Sequence, residues 1–212
     1  MNLILLGAPG AGKGTQAEML RKALSIPAIS TGNMLREAMK LGTALGEQIR
    51  QIMDSGNLVD DATVMELVSA RIAKEDCVNG FILDGVPRTL SQAKAIDDHG
   101  ITIDYVISIE IDDSVIEERM TGRRVCPGCG NSYHVVNNRP KVEGICDHCG
   151  TELVTRKDDA PETVRDRLKL YHSRTEVLKA YYAEQGKLFL INGDQGMQET
   201  NRDILKAIGA EV

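Results

Sequence analysis

The chain has 212 residues, enough for one domain with insertions and for a buried core that needs no disulfides. Its 42% hydrophobic and 26% charged content, with 20 Gly and 6 Pro, excludes a disordered, collagenous or disulfide-stapled class. A net charge of −6 repels polyanions, and no Trp, two Phe and five Tyr leave little for base stacking. Neither nucleic acid nor an anionic membrane is therefore an expected partner.

The apolar run at residues 3–6 ends at Gly7, too short for a signal peptide or a membrane span, so a cytoplasmic protein is expected. Apolar runs predict buried strands at 2–6, 80–84, 105–109 and 188–191, with a weaker fifth at 26–30. Helical periodicity predicts helices over 13–24, 31–40, 43–54, 61–73, 89–98, 114–121, 161–184 and 200–208. Asp61 suits an N-cap, and Pro161 suits a first helical turn with Glu162 near the positive dipole end. Strands alternating with helices give an α/β fold, a parallel sheet covered on both faces. Two stretches interrupt the alternation. Residues 30–59 carry helical pattern and no strand, and residues 122–159 carry short polar pieces, five Gly and four of the five Cys. The second stretch also holds six Lys/Arg against five Asp/Glu in an otherwise acidic chain. The expected plan is a core of 1–29, 60–121 and 160–212 with two inserts.

The strongest chemical signal is Gly7-Ala8-Pro9-Gly10-Ala11-Gly12-Lys13-Gly14-Thr15, between a predicted strand and a predicted helix. Glycines free the backbone N–H groups to turn inward around phosphate oxygens, and the helix N-terminus adds its dipole. Lys13 would reach the transferred phosphate, and Thr15 would lie near Mg²⁺. Gly14 stands where such loops usually carry the hydroxyl residue. The alternative is a tight turn without a ligand, which leaves Lys13 and the flanking elements unexplained.

Cys126-Pro127-Gly128-Cys129 and Cys146-Asp147-His148-Cys149 form two C-x₂-C knuckles separated by 16 residues. That pattern reads as a closed tetrahedral site for structural Zn²⁺, with iron as the other metal a sulfur cage takes. Two disulfides, a redox pair or unligated thiols are the competing readings. Cys77 stands apart and reads as a small buried residue.

The Gly14-Thr15 variant of the loop resembles that of the adenylate kinases, and the resemblance runs along nearly the whole chain. Ser30-Thr31-Gly32-Asn33-Met34-Leu35-Arg36 and Asn57-Leu58-Val59-Asp60-Asp61 resemble the family's monophosphate contacts. Asp84-Gly85-Val86-Pro87-Arg88, followed by Gln92, is similar to its Asp-Gly-Phe-Pro-Arg motif, with Val86 in place of Phe. Thr121-Gly122-Arg123-Arg124, Arg156-Lys157-Asp158-Asp159 and Arg165-Asp166-Arg167 resemble its lid and lid hinge. The resemblance implies a P-loop nucleoside-monophosphate kinase fold in which 30–59 grips AMP and 122–159 closes over ATP. It implies the reaction ATP + AMP ⇌ 2 ADP with Mg²⁺, in a monomer.

The resemblance also implies residue roles. Lys13, Arg36, Arg88, Arg123, Arg156 and Arg167 would neutralise phosphates, and Asp84 would hold Mg²⁺ through its waters. ATP would lie on Gly10, Ala11, Gly12, Lys13, Gly14 and Thr15, with Arg119 over its adenine and Arg123, Ser132, Tyr133 and Gln195 nearby. AMP would meet Thr31, Arg36, Asn57, Leu58, Val59, the run from Gly85 through Val86 and Pro87 to Arg88, then Gln92, Arg156 and Arg167. The smaller Val86 would loosen the AMP pocket.

The chemistry makes sense of these residue types. Phosphoryl transfer through a loose transition state needs positioning and charge neutralisation, which arginine's planar fork supplies. The acceptor would itself be a phosphate anion, so no general base is required. His99, His134, His148 and His172 are then surface or satisfied polar residues, and Asp158 and Asp159 are partners for lid arginines or helix caps. A kinase for another nucleoside monophosphate shares the loop and the cations. A zinc-ribbon nucleic-acid module is opposed by the acidic charge and scarce aromatics, and a GTPase by the absence of an Asn-Lys-x-Asp motif.

Overall fold

The computed structural model describes residues 1–210. Seven strands form: β1 Asn2–Leu6, β2 Ala28–Ser30, β3 Phe81–Asp84, β4 Tyr105–Glu110, β5 Arg123–Val125, β6 Ser132–His134 and β7 Leu188–Asn192. The helices are α1 Lys13–Leu24, α2 Thr31–Lys40, α3 Ala44–Asp54, α4 Asp61–Ile72, α5 Leu90–Asp98, α6 Asp113–Thr121, α7 Pro161–Leu170, α8 Leu178–Glu184 and α9 Met197–Ala207.

Five strands make one wholly parallel sheet in the order β2-β3-β1-β4-β7. Its strands read as unbroken apolar runs because both faces are covered. Along β1, Ile4 and Leu6 join Leu83 and Val106 beneath the side bearing Val68, Ile96 and Tyr182. Leu3 and Leu5 join Ile82, Ile107 and Ile191 against Leu20 of α1 and Ile204 of α9. After β1 the chain turns to β2 on one side, and after β3 it crosses to β4 on the other. That reversal opens a crevice at the carboxyl ends of the central strands, where α/β sheets hold ligands. β5 and β6 form a separate antiparallel hairpin within 122–159, where the sequence gives no strand signal.

Beyond shifts of one or two residues at element ends, three features differ from the sequence reading. The N-cap of α4 is Asp60, whose Oδ1 accepts from Thr63 N–H at 2.9 Å, while Asp61 is the first helical residue. α9 starts three residues early because Glu199 reaches back to the Gly196 N–H at 3.2 Å. The helix expected over 161–184 is broken by a π-helical turn at Tyr171–Thr175, closed by Glu176 N–H on Tyr171 O at 3.0 Å. The turn inserts one residue yet leaves the buried positions 164, 168, 171, 175, 178 and 182 evenly spaced, so nothing in the pattern marks it.

Candidate functional site

The loop between β1 and α1 is set by its glycines. Gly7 has φ 137°, and a Cβ there would lie 2.7 Å from Ile109 O on β4. Only glycine fits that conformation and that approach. Lys13 opens α1 and folds back over the loop, its Nζ donating to Gly7 O at 2.7 Å and Ala8 O at 2.8 Å. Burial pushes the ammonium down to about 7. Asp84 opposes the shift, and Arg88, Arg167 and Arg123 reinforce it. Asp84 ends β3 beside the start of α1, 3.6 Å from where a Cβ of Gly14 would be.

The turn after β3 holds Arg88. Gly85 has φ 85°, and a Cβ there would meet Thr31 Oγ1 at 2.8 Å and Arg88 Nη2 at 2.9 Å. Arg88 Nε donates to Gly85 O at 2.8 Å, its N–H to Gln92 Oε1 at 2.7 Å, and its carbonyl accepts from Thr175 Oγ1 at 2.8 Å. Thr31, at the start of α2, donates to Gly85 O at 2.9 Å. Lys13, Gly56, Leu58, Gly85, Pro87, Arg88 and Arg167 line one cleft. A small apolar pocket lined by Thr31, Met34, Leu35, Val64 and Leu67 adjoins it through Thr31.

The remaining cations arrive from the two inserts and from α7. Arg36 Nη2 donates to Asn33 Oδ1 at 3.1 Å. Arg123 forms a two-pronged pair with the buried Asp159 carboxylate, with Nε on Oδ2 at 2.8 Å. Arg167 donates to Asp158 O at 2.9 Å and pairs with the Asp158 carboxylate at 2.9 Å and with Asp159 at 3.4 Å. The carboxylate pair thus serves the lid arginines. Burial, with Arg36 and Arg123 adjacent, pushes Arg156 down to about 9, and its Nε is buried without a partner. Burial likewise lowers Arg167 to about 10. Burial raises Asp158, but Arg167, Arg156, Arg123 and Arg36 outweigh it and hold the carboxyl below the ordinary range. The six sequence-predicted cations therefore share one electrostatic neighbourhood, with more positive charge than its own carboxylates balance.

Stretch 122–159 lies against the helices of 30–59. Lys40 Nζ donates to Pro127 O at 2.9 Å, Lys157 pairs with Asp54 at 3.3 Å, and Gly130 sits beside the Asn33 amide. Its two knuckles are near copies. Gly130 N–H returns to Cys126 O and Gly150 N–H to Cys146 O, while Cys126 and Cys146 N–H donate to Asn131 O and Thr151 O. The four Sγ atoms lie within 4.8 Å of one another, with Cys126–Cys149 at 3.3 Å and Cys129–Cys146 at 3.5 Å. A zinc–sulfur tetrahedron has edges of about 3.8 Å, so the donor set fits one zinc ion.

Other expected residues are placed less directly. Arg119 Nη2 donates to Gly193 O at 3.0 Å, and Gln195 is tied to Asp203 at 2.7 Å. Ser132 lies on β6. The neighbouring Tyr133 is buried, its hydroxyl 3.4 Å from Cys146 Sγ and accepting from Asp147 N–H at 2.9 Å. Val59 and Val86 pack in the core under α2–α5, and Asn57 is exposed. Cys77 is buried, as expected. His99 and His172 are exposed and hydrogen-bonded, whereas His134 Nε2 is buried without a partner. Sequence reasoning misses Thr175, which carries no motif signal, and it gives Asp61 to capping and the monophosphate motif without its contact to Gln92.

A cleft whose fixed cations outnumber its carboxylates, at the mouth of a strand–loop–helix cradle, is built around phosphates and not around proton transfer. That defines a P-loop phosphotransferase. Sequence comparison narrows the class: the Adenylate kinase family model matches residues 5–187. Adenylate kinases of Caldicellulosiruptor bescii and Caldicellulosiruptor saccharolyticus are 52% and 51% identical to the chain, each over 100% of both sequences. That of Oceanobacillus iheyensis is 49% identical over 96% of the chain and 97% of its own length. The chain belongs to the adenylate kinase family and is an enzyme that transfers a phosphoryl group between ATP and AMP.

Proposed function

We propose that the cleft performs ATP + AMP ⇌ 2 ADP with the following division of labour. The backbone from Gly10 through Thr15 cradles the donor's phosphates, and Lys13, Arg123, Arg156 and Arg167 neutralise the group in flight. Arg36 and Arg88 grip the acceptor phosphate. The observation that carries the reading is the convergence of these six cations around one cleft, five of them held down by burial and all of those but Arg88 by mutual repulsion as well. Incoming phosphates relieve that repulsion, most in the transition state, where charge spreads over the transferred group. Mg²⁺ bound with ATP adds Lewis-acid neutralisation, and Asp84 with Thr15 would orient its waters. Closure of 122–159 excludes water, which would otherwise hydrolyse ATP.

Thr31 and Gln92 read the AMP base, beside the apolar side chains of Met34, Leu35, Val64 and Leu67. Asn57, Leu58, Val59 and the run from Gly85 through Pro87 shape the acceptor side. Arg119, Ser132, Tyr133 and Gln195 surround the ATP base. Cys126, Cys129, Cys146 and Cys149 hold structural Zn²⁺ and take no part in the reaction. Among the described residues no helix is long and apolar enough to cross a membrane. The enzyme works as a cytoplasmic monomer on nucleotides alone. A coupled ADP-formation assay with Mg-ATP and a panel of monophosphates tests the assignment. AMP should exceed GMP, CMP and UMP, and equal turnover of CMP or UMP would overturn the base reading.

A further inference from the structure

The Gln92 side chain is 2% exposed, and the protein uses only half of its hydrogen-bonding capacity. One lone pair of Oε1 accepts the Arg88 N–H at 2.7 Å. One hydrogen of Nε2 goes to Asp61 Oδ1 at 2.8 Å. A primary amide offers two acceptor and two donor positions, so one of each remains. These two contacts also fix which way the amide faces. Turned over, it would put Nε2 hydrogens against a backbone N–H and Oε1 against a carboxylate oxygen. Both contacts would then be repulsive, inside a buried site where unmet polar groups are costly.

The carboxylate is itself fixed. Asp61 opens α4, and its Oδ2 accepts from the hydroxyls of Thr89, at 2.9 Å, and Ser91 at the start of α5. Both hydroxyls donate to it, so the carboxylate holds its position.

We propose that Asp61 is a specificity-determining positioning residue: by locking the Gln92 amide it makes the acceptor site select a 6-amino purine over a 6-oxo purine. The proposal rests on the reading that Gln92 faces the base of the acceptor. A 6-amino purine donates from its exocyclic amine and accepts at N1, which matches the free Oε1 lone pair and the free Nε2 hydrogen. A 6-oxo purine reverses both: O6 accepts and N1 carries a proton. With ribose and phosphate held in place, both contacts would become repulsive unless the amide turned. Sites built to meet a particular donor–acceptor pattern discriminate far more strongly than apolar pockets do.

Inosine monophosphate differs from AMP only at these two ring positions, so it is the probe. Steady-state kcat/KM for AMP and inosine monophosphate, with Mg-ATP as donor, is compared in the wild type, Asp61→Asn, Ser91→Ala and Gln92→Leu. The wild type should favour AMP strongly. Asp61→Asn should shrink the AMP preference by roughly tenfold while leaving KM for ATP unchanged. A general loosening of the fold would not produce that pattern. Ser91→Ala, which leaves the Asp61–Gln92 contact in place, should keep the preference. If Asp61→Asn retains the preference within twofold while Gln92→Leu abolishes it, the base reading stands and the lock is wrong. If Gln92→Leu leaves the preference intact, the base reading itself fails. Should Asp61→Asn not fold, proton exchange of the Gln92 amide in the wild-type protein decides. One of its two Nε2 hydrogens should exchange slowly with solvent, and fast exchange of both overturns the lock.

Discussion

Along β1 the sheet buries Leu3, Ile4, Leu5 and Leu6 at 3% exposure or less, and each finds partners on one or other face. Within 122–159 the largest buried cluster is Cys126, Tyr133, Cys146 and Leu153. A buried Leu or Ile contributes about 1.5–3 kcal/mol, whereas ordering each residue costs about 1–2 kcal/mol. Two such side chains cannot order a segment of this length, and half of its small core is thiol. The sheet holds itself by packing, whereas 122–159 has the four-thiol cluster that a stapling metal would use. Under the proposed function the difference has a use: Lys13 and Arg88 sit on the sheet core, while Arg123 and Arg156 belong to the stretch that would open for nucleotides to enter and leave.

The contrast fails first if a cation on the sheet core proves to serve stability more than rate. Arg88→Ala should lower kcat by about 10²–10³ and shift the melting temperature little, because its guanidinium lines the cleft and its backbone contacts to Gln92 and Thr175 survive the change. Calorimetry beside steady-state kinetics separates the two. A large drop in melting temperature with near-normal kcat would reverse the assignment.

Metal removal tests the other half. Elemental analysis should find one zinc per chain, with four thiols protected from titration until a chelator is added. Stripping the metal should lower activity by about tenfold or more, since Arg123 and Arg156 lose their placement, and should split the unfolding transition into a lid phase and a sheet phase. Cys146→Ser should mimic most of this loss, because a neutral hydroxyl is a poorer zinc ligand than thiolate. Full metal content with no thermal effect of chelation would show that the lid holds itself.

Position 86 sharpens the boundary between packing and recognition. The sequence comparison with Phe suggests a pocket wall, but Val86 is fully buried among core side chains. Val86→Phe should therefore destabilise by about 1–3 kcal/mol through overpacking, a drop of several degrees in melting temperature. Tighter AMP binding with unchanged stability would return the side chain to the nucleotide.

The sequence made legible whatever depends on residue identity at fixed spacing: the loop around Lys13, the motif arginines and the two knuckles. Those features announce themselves because phosphate and zinc tolerate few substitutes. The break at Tyr171–Thr175 was illegible, since the extra residue leaves the spacing of buried positions unchanged. So was Thr175, which binds Arg88 O from 87 residues away and belongs to no motif. Asp61 was misread because Asp60 and Asp61 both satisfy the capping pattern, and only the approach of α5 shows which one turns to Gln92. The Tyr133 hydroxyl is placed by Cys146 and Asp147, a tertiary contact that no local pattern encodes.

The smallest expected effect concerns the contact between the start of α6 and the π-helical turn after α7. His172, in the π-helical turn, has Nδ1 2.8 Å from Glu176 and Nε2 3.0 Å from Asp113 at the start of α6. Hydrogen bonding to Glu176 and then to Asp113 raises its pKa above the ordinary 6.5. Partial burial opposes the rise, and Lys179 shares the Glu176 carboxylate at 2.9 Å. A group raised in the folded state stabilises it fully below the unfolded pKa and loses that contribution as pH climbs through the folded value. His172→Gln should therefore melt slightly below the wild type at pH 5.5, by about 1–2 °C, and level with it at pH 9. All three side chains are 40–48% exposed, so salt should erase most of the gap. A gap that persisted at pH 9 would mean that the imidazole ring holds α6 to the turn by packing and hydrogen bonding, with no need of its charge.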